Sequence, residues 1–108
     1  MQNLTFVRGD TETVQVTMTS DGTTPVDITG RTYAAQLRST PDIATISASA
    51  SCAVTDAANG VMTATFSASV TSDLSPGMYY WDLQETNGTT VTTVLAGTVT
   101  VLADVTRL

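Results

Sequence analysis

The sequence predicts an all-β fold, an antiparallel two-layer sandwich of about seven strands, and three observations carry that expectation. Threonine and valine alternate through much of the 108 residues, and β-branched side chains fit a half-buried pleated surface better than a helix. The strand-like runs are short and separated by turn signals such as Asp21-Gly22, Pro76-Gly77 and Asn87-Gly88. No long stretch carries the 3.6-residue apolar period of a helix, which argues against a βαβ architecture.

Residues 3–8 read as the first strand, with Phe6 directed to the core. Next comes Arg8-Gly9-Asp10, a tripeptide known as a cell-adhesion signal. It lies between two strand-like runs with almost no spare length, so it is expected to bend the chain rather than project from it. Gly9 adopts a left-handed conformation without a Cβ penalty, and Asp10 can accept backbone N–H bonds. In residues 11–19, Val14, Val16 and Met18 fall on one side, with Thr13, Gln15, Thr17 and Thr19 on the other. After the Asp21-Gly22 turn, residues 31–39 turn Tyr33, Ala35 and Leu37 inward, and Pro41 stops the strand because it has no N–H for a ladder. Residues 46–54 place Ile46, Ala48, Ala50, Cys52 and Val54 on one face of a single further strand. The small side chains there imply close approach of the two sheets.

Residues 56–60 form a turn ending in Asn59-Gly60, and residues 61–66 return as a strand hairpinned to the preceding one. Alternation fails at residues 67–75. Val70 and Leu74 are four apart, the spacing of a short helical turn that closes one end of the core before Pro76-Gly77 ends it. Residues 78–86 put Tyr79, Trp81 and Leu83 on one face, and the only tryptophan marks the centre of the core. Asn87 and Gly88 make a hairpin turn into the last strand, residues 90–102, in which Gly97 marks a bulge or a close crossing. The expected core is therefore Phe6, Val14, Val16, Leu37, Tyr79, Trp81 and Leu83, with turns at Gly9, Asp10, Asn87 and Gly88.

The run Pro76-Gly77-Met78-Tyr79-Tyr80-Trp81 has the spacing of a tyrosine corner, in which a Tyr opens strand F two residues before the inter-sheet cysteine of an immunoglobulin domain. Trp81 stands where that cysteine would be, and a large ring can fill the gap between sheets without oxidation. An immunoglobulin-like topology is expected, with the short helical turn preceding strand F.

Composition limits the function. The length suits one domain, residues 1–108, burying roughly 65% of its extended surface. Ten acidic residues against four arginines give a net charge of −6, a surface that repels phosphate backbones, so no nucleic-acid partner is expected. The lone Cys52 has no internal disulfide partner, and its place on a small-residue inward face favours an inert thiol. The chain contains no histidine, the commonest general base and transition-metal ligand. Its Asp residues fall mainly at strand ends and turns, where backbone reasons place them. No calcium-loop or nucleotide-loop spacing occurs. Neither an enzyme, a cofactor, a metal nor a small-molecule substrate is expected. Residues 1–10 lack the pattern of a secretory signal, and no segment has the ~18 apolar residues of a membrane helix, so a soluble product made in a cytoplasm and free of membrane is expected. Tyr80 is the one clear outward aromatic on its strand.

Taken in order, Phe6-Val7-Arg8-Gly9-Asp10-Thr11, Asp21-Gly22, Pro25-Val26-Asp27-Ile28-Thr29-Gly30 and Gln36-Leu37-Arg38 resemble the immunoglobulin-like N-terminal domain of phage upper baseplate proteins and related small tailed-phage virion proteins. Leu74-Ser75-Pro76-Gly77-Met78-Tyr79, Asn87-Gly88-Thr89, Gly97-Thr98-Val99-Thr100-Val101 and Asp104-Val105-Thr106-Arg107 continue the likeness over nearly the whole chain. The resemblance implies a virion structural protein without enzyme activity, repeated around a symmetric particle, with copies of itself and other virion proteins as partners. A tail, baseplate or fibre-attachment station is expected; capsid decoration, a neck protein, and a host-surface glycan or receptor-binding module are the alternatives. The first strand, through Asn3, Thr5 and Val7, and the last, through Thr98, Thr100 and Leu102, are the expected docking elements, because edge strands can add hydrogen bonds across an interface.

Overall fold

The computed structural model describes residues 3–20, 22–43 and 45–105. Two sheets face each other. The larger runs in the order β1 (Leu4–Val7), β8 (Thr90–Leu102), β7 (Gly77–Asn87), β3 (Thr32–Arg38) and β4 (Ala48–Ser49). The smaller runs β2 (Glu12–Thr17), β6 (Val61–Phe66) and β5 (Ser51–Asp56). With β2, β6 and β5 in the places of strands B, E and D, and β8, β7 and β3 in those of G, F and C, this is an immunoglobulin-type sandwich. The short helix α1 (Ala68–Thr71) crosses from one sheet to the other just before β7.

Alternation decides which residues meet between the layers. Leu37 pairs with Trp81, and Trp81 with Gly97, in one row across three strands. Gly97 has no side chain to compete with the indole, which is only 3% exposed. The next rows bring Ala35 to Leu83 and Tyr79 to Val99, while β6 supplies Met62, Ala64 and Phe66 from the opposite sheet. Phe6 and Phe66 join the layers with ring centroids 5.2 Å apart and planes tilted by 53°, a favoured aromatic geometry. The Tyr79 hydroxyl donates to the Ser75 carbonyl at 2.7 Å, the bond that defines a tyrosine corner. It ties the start of β7 to the turn that follows α1.

Several local expectations change. The sandwich is not wholly antiparallel: β1 runs parallel to β8, with Phe6 beside Val101. The turn at Gly9 passes the chain from the larger sheet to the smaller, which leaves β1 lying along the edge of the last strand. Residues 46–54 are not one strand. The chain changes sheets at Ala50, whose N–H donates to Ala35 O at 2.9 Å, so β4 pairs with β3 and β5 with β6. Small side chains permit that crossing, and Ala48, Ala50 and Cys52 keep to the core side, while Ile46, which precedes β4, and Val54, on the edge strand β5, are exposed. The bulge in the long hairpin lies between Leu83 and Gln84, opposite residues 93–95, and not at Gly97. Val14 is half-buried on the edge strand β2, with no further strand beyond that edge among the described residues, and does not join the core cluster. Val16 and Tyr79 are half-buried and pack against the cluster, whereas Phe6, Leu37, Trp81 and Leu83 lie within it.

Ile28 is completely buried although it sits in the irregular connection between β2 and β3. Its N–H donates to Ala57 O at 2.9 Å, in the 3-10 turn Ala57–Asn59. Beside it, the Asp27 carboxylate accepts from the Thr29 hydroxyl at 2.6 Å and N–H at 2.9 Å, which hold its pKa below the ordinary value. The expected turn at Asp21 lies outside the described residues; its partner Gly22 has φ 88°.

Candidate functional site

The side of the larger sheet that turns away from the core is the surface best built for contact. Strand register arranges its outward residues in rows. Val7 lies beside Leu102; Thr5, Thr100 and Met78 form the next row; Thr98, Tyr80 and Arg38 the third; Ala96, Asp82 and Gln36 the fourth. Met78 is 60% exposed, Leu102 47% and Tyr80 39%, so the first three rows present apolar surface with threonines between. A groove of about 290 Å³ opens over the third and fourth rows, with Pro41 from the connection after β3 at its rim.

Arg38 is held in place there. Its guanidinium donates to Ile43 O at 2.6 Å and to Gln36 Oε1 at 3.0 Å. At the opposite end of β3, Arg31 pairs with Glu85 at 3.2 Å, and the Tyr33 hydroxyl donates to the same carboxylate at 2.6 Å. Burial, reinforced by that acceptor, pushes the Tyr33 phenol well above its ordinary pKa. These groups are committed to one another and face the core side of the sheet.

The expected docking residues divide in two. Thr5, Val7, Thr100 and Leu102 lie together on the outer face. Asn3 and Thr98 are bound to each other, since Asn3 Oδ1 accepts from both the N–H and the hydroxyl of Thr98 at 3.2 Å. Residues 99–102 of the last strand cannot offer their backbone to a partner, because they lie between β1 and β7. At that end of the sheet the role falls to β1, whose far side has no strand neighbour among the described residues.

The turn at Arg8-Gly9-Asp10 is locked from three sides. Gly9 has φ 89°, and its N–H donates to Thr71 Oγ1 at 3.1 Å. The same hydroxyl donates to Asp10 O at 2.7 Å, while Asp10 N–H donates to Val7 O at 3.1 Å. Arg8 folds back so that Nε and Nη2 both reach Asp104 Oδ1, at 2.9 and 2.8 Å. Asp10 therefore shapes the turn through its backbone rather than its carboxylate, and the tripeptide is a strand connection with its arginine already occupied. Thr71, buried within α1, was not legible as a partner, because only the fold carries a residue 61 positions away to this turn. Thr71→Val is expected to cost about 1–3 kcal/mol, since it keeps the shape but leaves a backbone donor and acceptor unpaired. Urea titration followed by circular dichroism measures it, and Thr71→Ser should recover most of the loss.

Cys52 is half-buried on β5, and burial pushes its thiol above the ordinary pKa, which keeps it from being a ready nucleophile. Among the described residues no three His, Cys, Asp or Glu side chains gather as a metal site, and no helix is long and apolar enough to cross a membrane. Asn87 and Gly88 turn β7 into β8, with Gly88 at φ 64°, well away from the groove. Comparison with known families finds no matching family model, and no curated protein matches the chain in sequence.

Proposed function

We propose that this chain is a non-enzymatic structural protein of a tailed-phage virion, joining copies of itself and neighbouring virion proteins through the outer face of its larger sheet. The observation that supports this reading is the margin formed by Val7, Leu102 and Met78. It is an apolar patch, with Met78 and Leu102 exposed and Val7 half-buried, beside the side of β1 that has no strand partner among the described residues. Exposed apolar surface of this kind marks an interaction site, and a free edge adds backbone bonds to the contact. Repetition around a symmetric particle raises avidity without a deep pocket. The resemblance to upper baseplate domains favours a tail, baseplate or fibre-attachment station over capsid decoration or a neck.

Light scattering over a rising concentration series is expected to show mass above the 11.2 kDa monomer. Met78→Glu and Leu102→Glu should return it to the monomer while leaving the thermal melt unchanged, because both side chains are exposed. Mass spectrometry of particles purified from cells carrying the gene should find the chain in stoichiometric amount. A strict monomer that is also missing from the particles contradicts the proposal.

A further inference from the structure

The groove beside the apolar margin sets polar groups within a mostly apolar lining. Tyr80 offers an exposed ring at its floor, flanked along the rows by Arg38 and Thr98 and along β7 by Asp82. Gln36, which lines the groove, is oriented because its Oε1 accepts from Arg38, which leaves its amide nitrogen as the donor. The Thr98 hydroxyl gives its hydrogen to Asn3 and keeps lone pairs to accept with. The Tyr80 hydroxyl and the Asp82 carboxylate make no hydrogen bond to another described residue. An aromatic face is thus ringed by a fixed donor, two acceptors and a group that does either.

We propose that this groove is a binding subsite for a neutral saccharide. A pyranose ring has an apolar C–H face that stacks on an aromatic ring and hydroxyls that both donate and accept, which matches the mixed set around Tyr80. Charge favours a neutral ligand. Arg38 and Asp82 cancel within the groove, while the net charge of −6 repels anionic glycans and nucleic acids. An extended peptide would need backbone partners, yet here β7 is paired on both sides, β3 is paired with β4 at Gln36, and the Thr98 N–H on β8 is already taken by Asn3. The volume, near 290 Å³, lies at the lower end of the range for small-ligand pockets and suits one or two sugar rings. Such a subsite binds weakly alone and gains from repetition. It stands independently of the assembly reading, since it uses different residues and requires no particle.

The test is an array of neutral and acidic glycans probed with the labelled full chain, followed by NMR titration of the best neutral oligosaccharide. Retention of neutral glycans is expected, with amide shifts centred on residues 36, 80–82 and 96–98. Tyr80→Ala should weaken binding at least ten-fold, Asp82→Asn several-fold, and Tyr80→Phe much less because stacking survives. All three are surface changes, and an unchanged melt confirms that each variant is folded. Binding of no neutral glycan, binding of acidic glycans alone, or equal binding by Tyr80→Ala overturns the proposal. None of these results alters whether the chain self-associates or enters particles.

Discussion

Trp81→Ala is expected to lower stability by about 3–5 kcal/mol, the usual cost of removing a buried aromatic side chain together with the cavity it leaves. The indole sits in the middle strand of the larger sheet, between Leu37 on one side and the bare backbone of Gly97 on the other. Neither neighbour can fill the space. Both belong to strands held in register by continuous ladders, so collapse would require sliding a strand rather than turning a side chain. A domain of this size has a net stability of only about 5–15 kcal/mol, so the variant loses from about a fifth of it to nearly all. Circular dichroism against urea reports the change without relying on the lost fluorophore. A loss below about 1 kcal/mol would mean that the two layers do not depend on this ring.

Gly60→Ala should cost a comparable amount, about 2–5 kcal/mol, for a backbone reason. Gly60 has φ 73°, and a Cβ there would lie 2.6 Å from Val26 O and 2.7 Å from Met18 O. Left-handed strain accounts for about 1–2 kcal/mol, and forcing two main-chain carbonyls apart adds about 1–3 kcal/mol. Those carbonyls are not free to move. Met18 O accepts from Val26 N–H at 2.9 Å, and Met18 N–H donates to Gly60 O at 2.8 Å, so the same joint pins the connection that carries the buried Ile28. Gly88 is the control. Its φ of 64° is similar, but nothing lies within 4 Å of a Cβ built there, so Gly88→Ala should show the strain alone, about 1–2 kcal/mol. Equal losses at the two glycines, measured by the same denaturant titration, would refute the role given to close approach at Gly60.

How far the candidate site could be read from the sequence depends on the range of the interaction. Outward placement of Tyr80 follows from the alternation of Tyr79, Trp81 and Leu83, a local property of one strand. Asp82, two residues along the same strand, shares that face by the same alternation, but that Arg38, Gln36 and Thr98 join them does not follow, because residues of three strands must be aligned to the exact row. A shift of one residue in the β3–β7 pairing would send Gln36 and Arg38 to the core face. The Arg8-Gly9-Asp10 turn divides in the same way. The bend was evident from glycine between two strand-like runs, but its clamps, Thr71 and Asp104, come from distant segments. At residues 46–54 alternation placed Ala48, Ala50 and Cys52 on the inward side but hid the division into two strands, since a chain that changes sheets while keeping one side to the core leaves its sequence pattern unbroken.

By itself the sequence determined the all-β class, the positions of most strands, the Asn87-Gly88 hairpin, the tyrosine corner and the burial of Trp81. Each of these rests on side-chain periodicity or on dihedral preferences that act within a few residues. Only the tertiary structure decided that β1 lies parallel to β8, that Ile28 and Thr71 are buried, that Gly60 must remain without a side chain, and that a groove opens beside Tyr80. Those outcomes depend on hydrogen-bond register and on van der Waals distances between segments far apart in the chain, and no local pattern of residues encodes either.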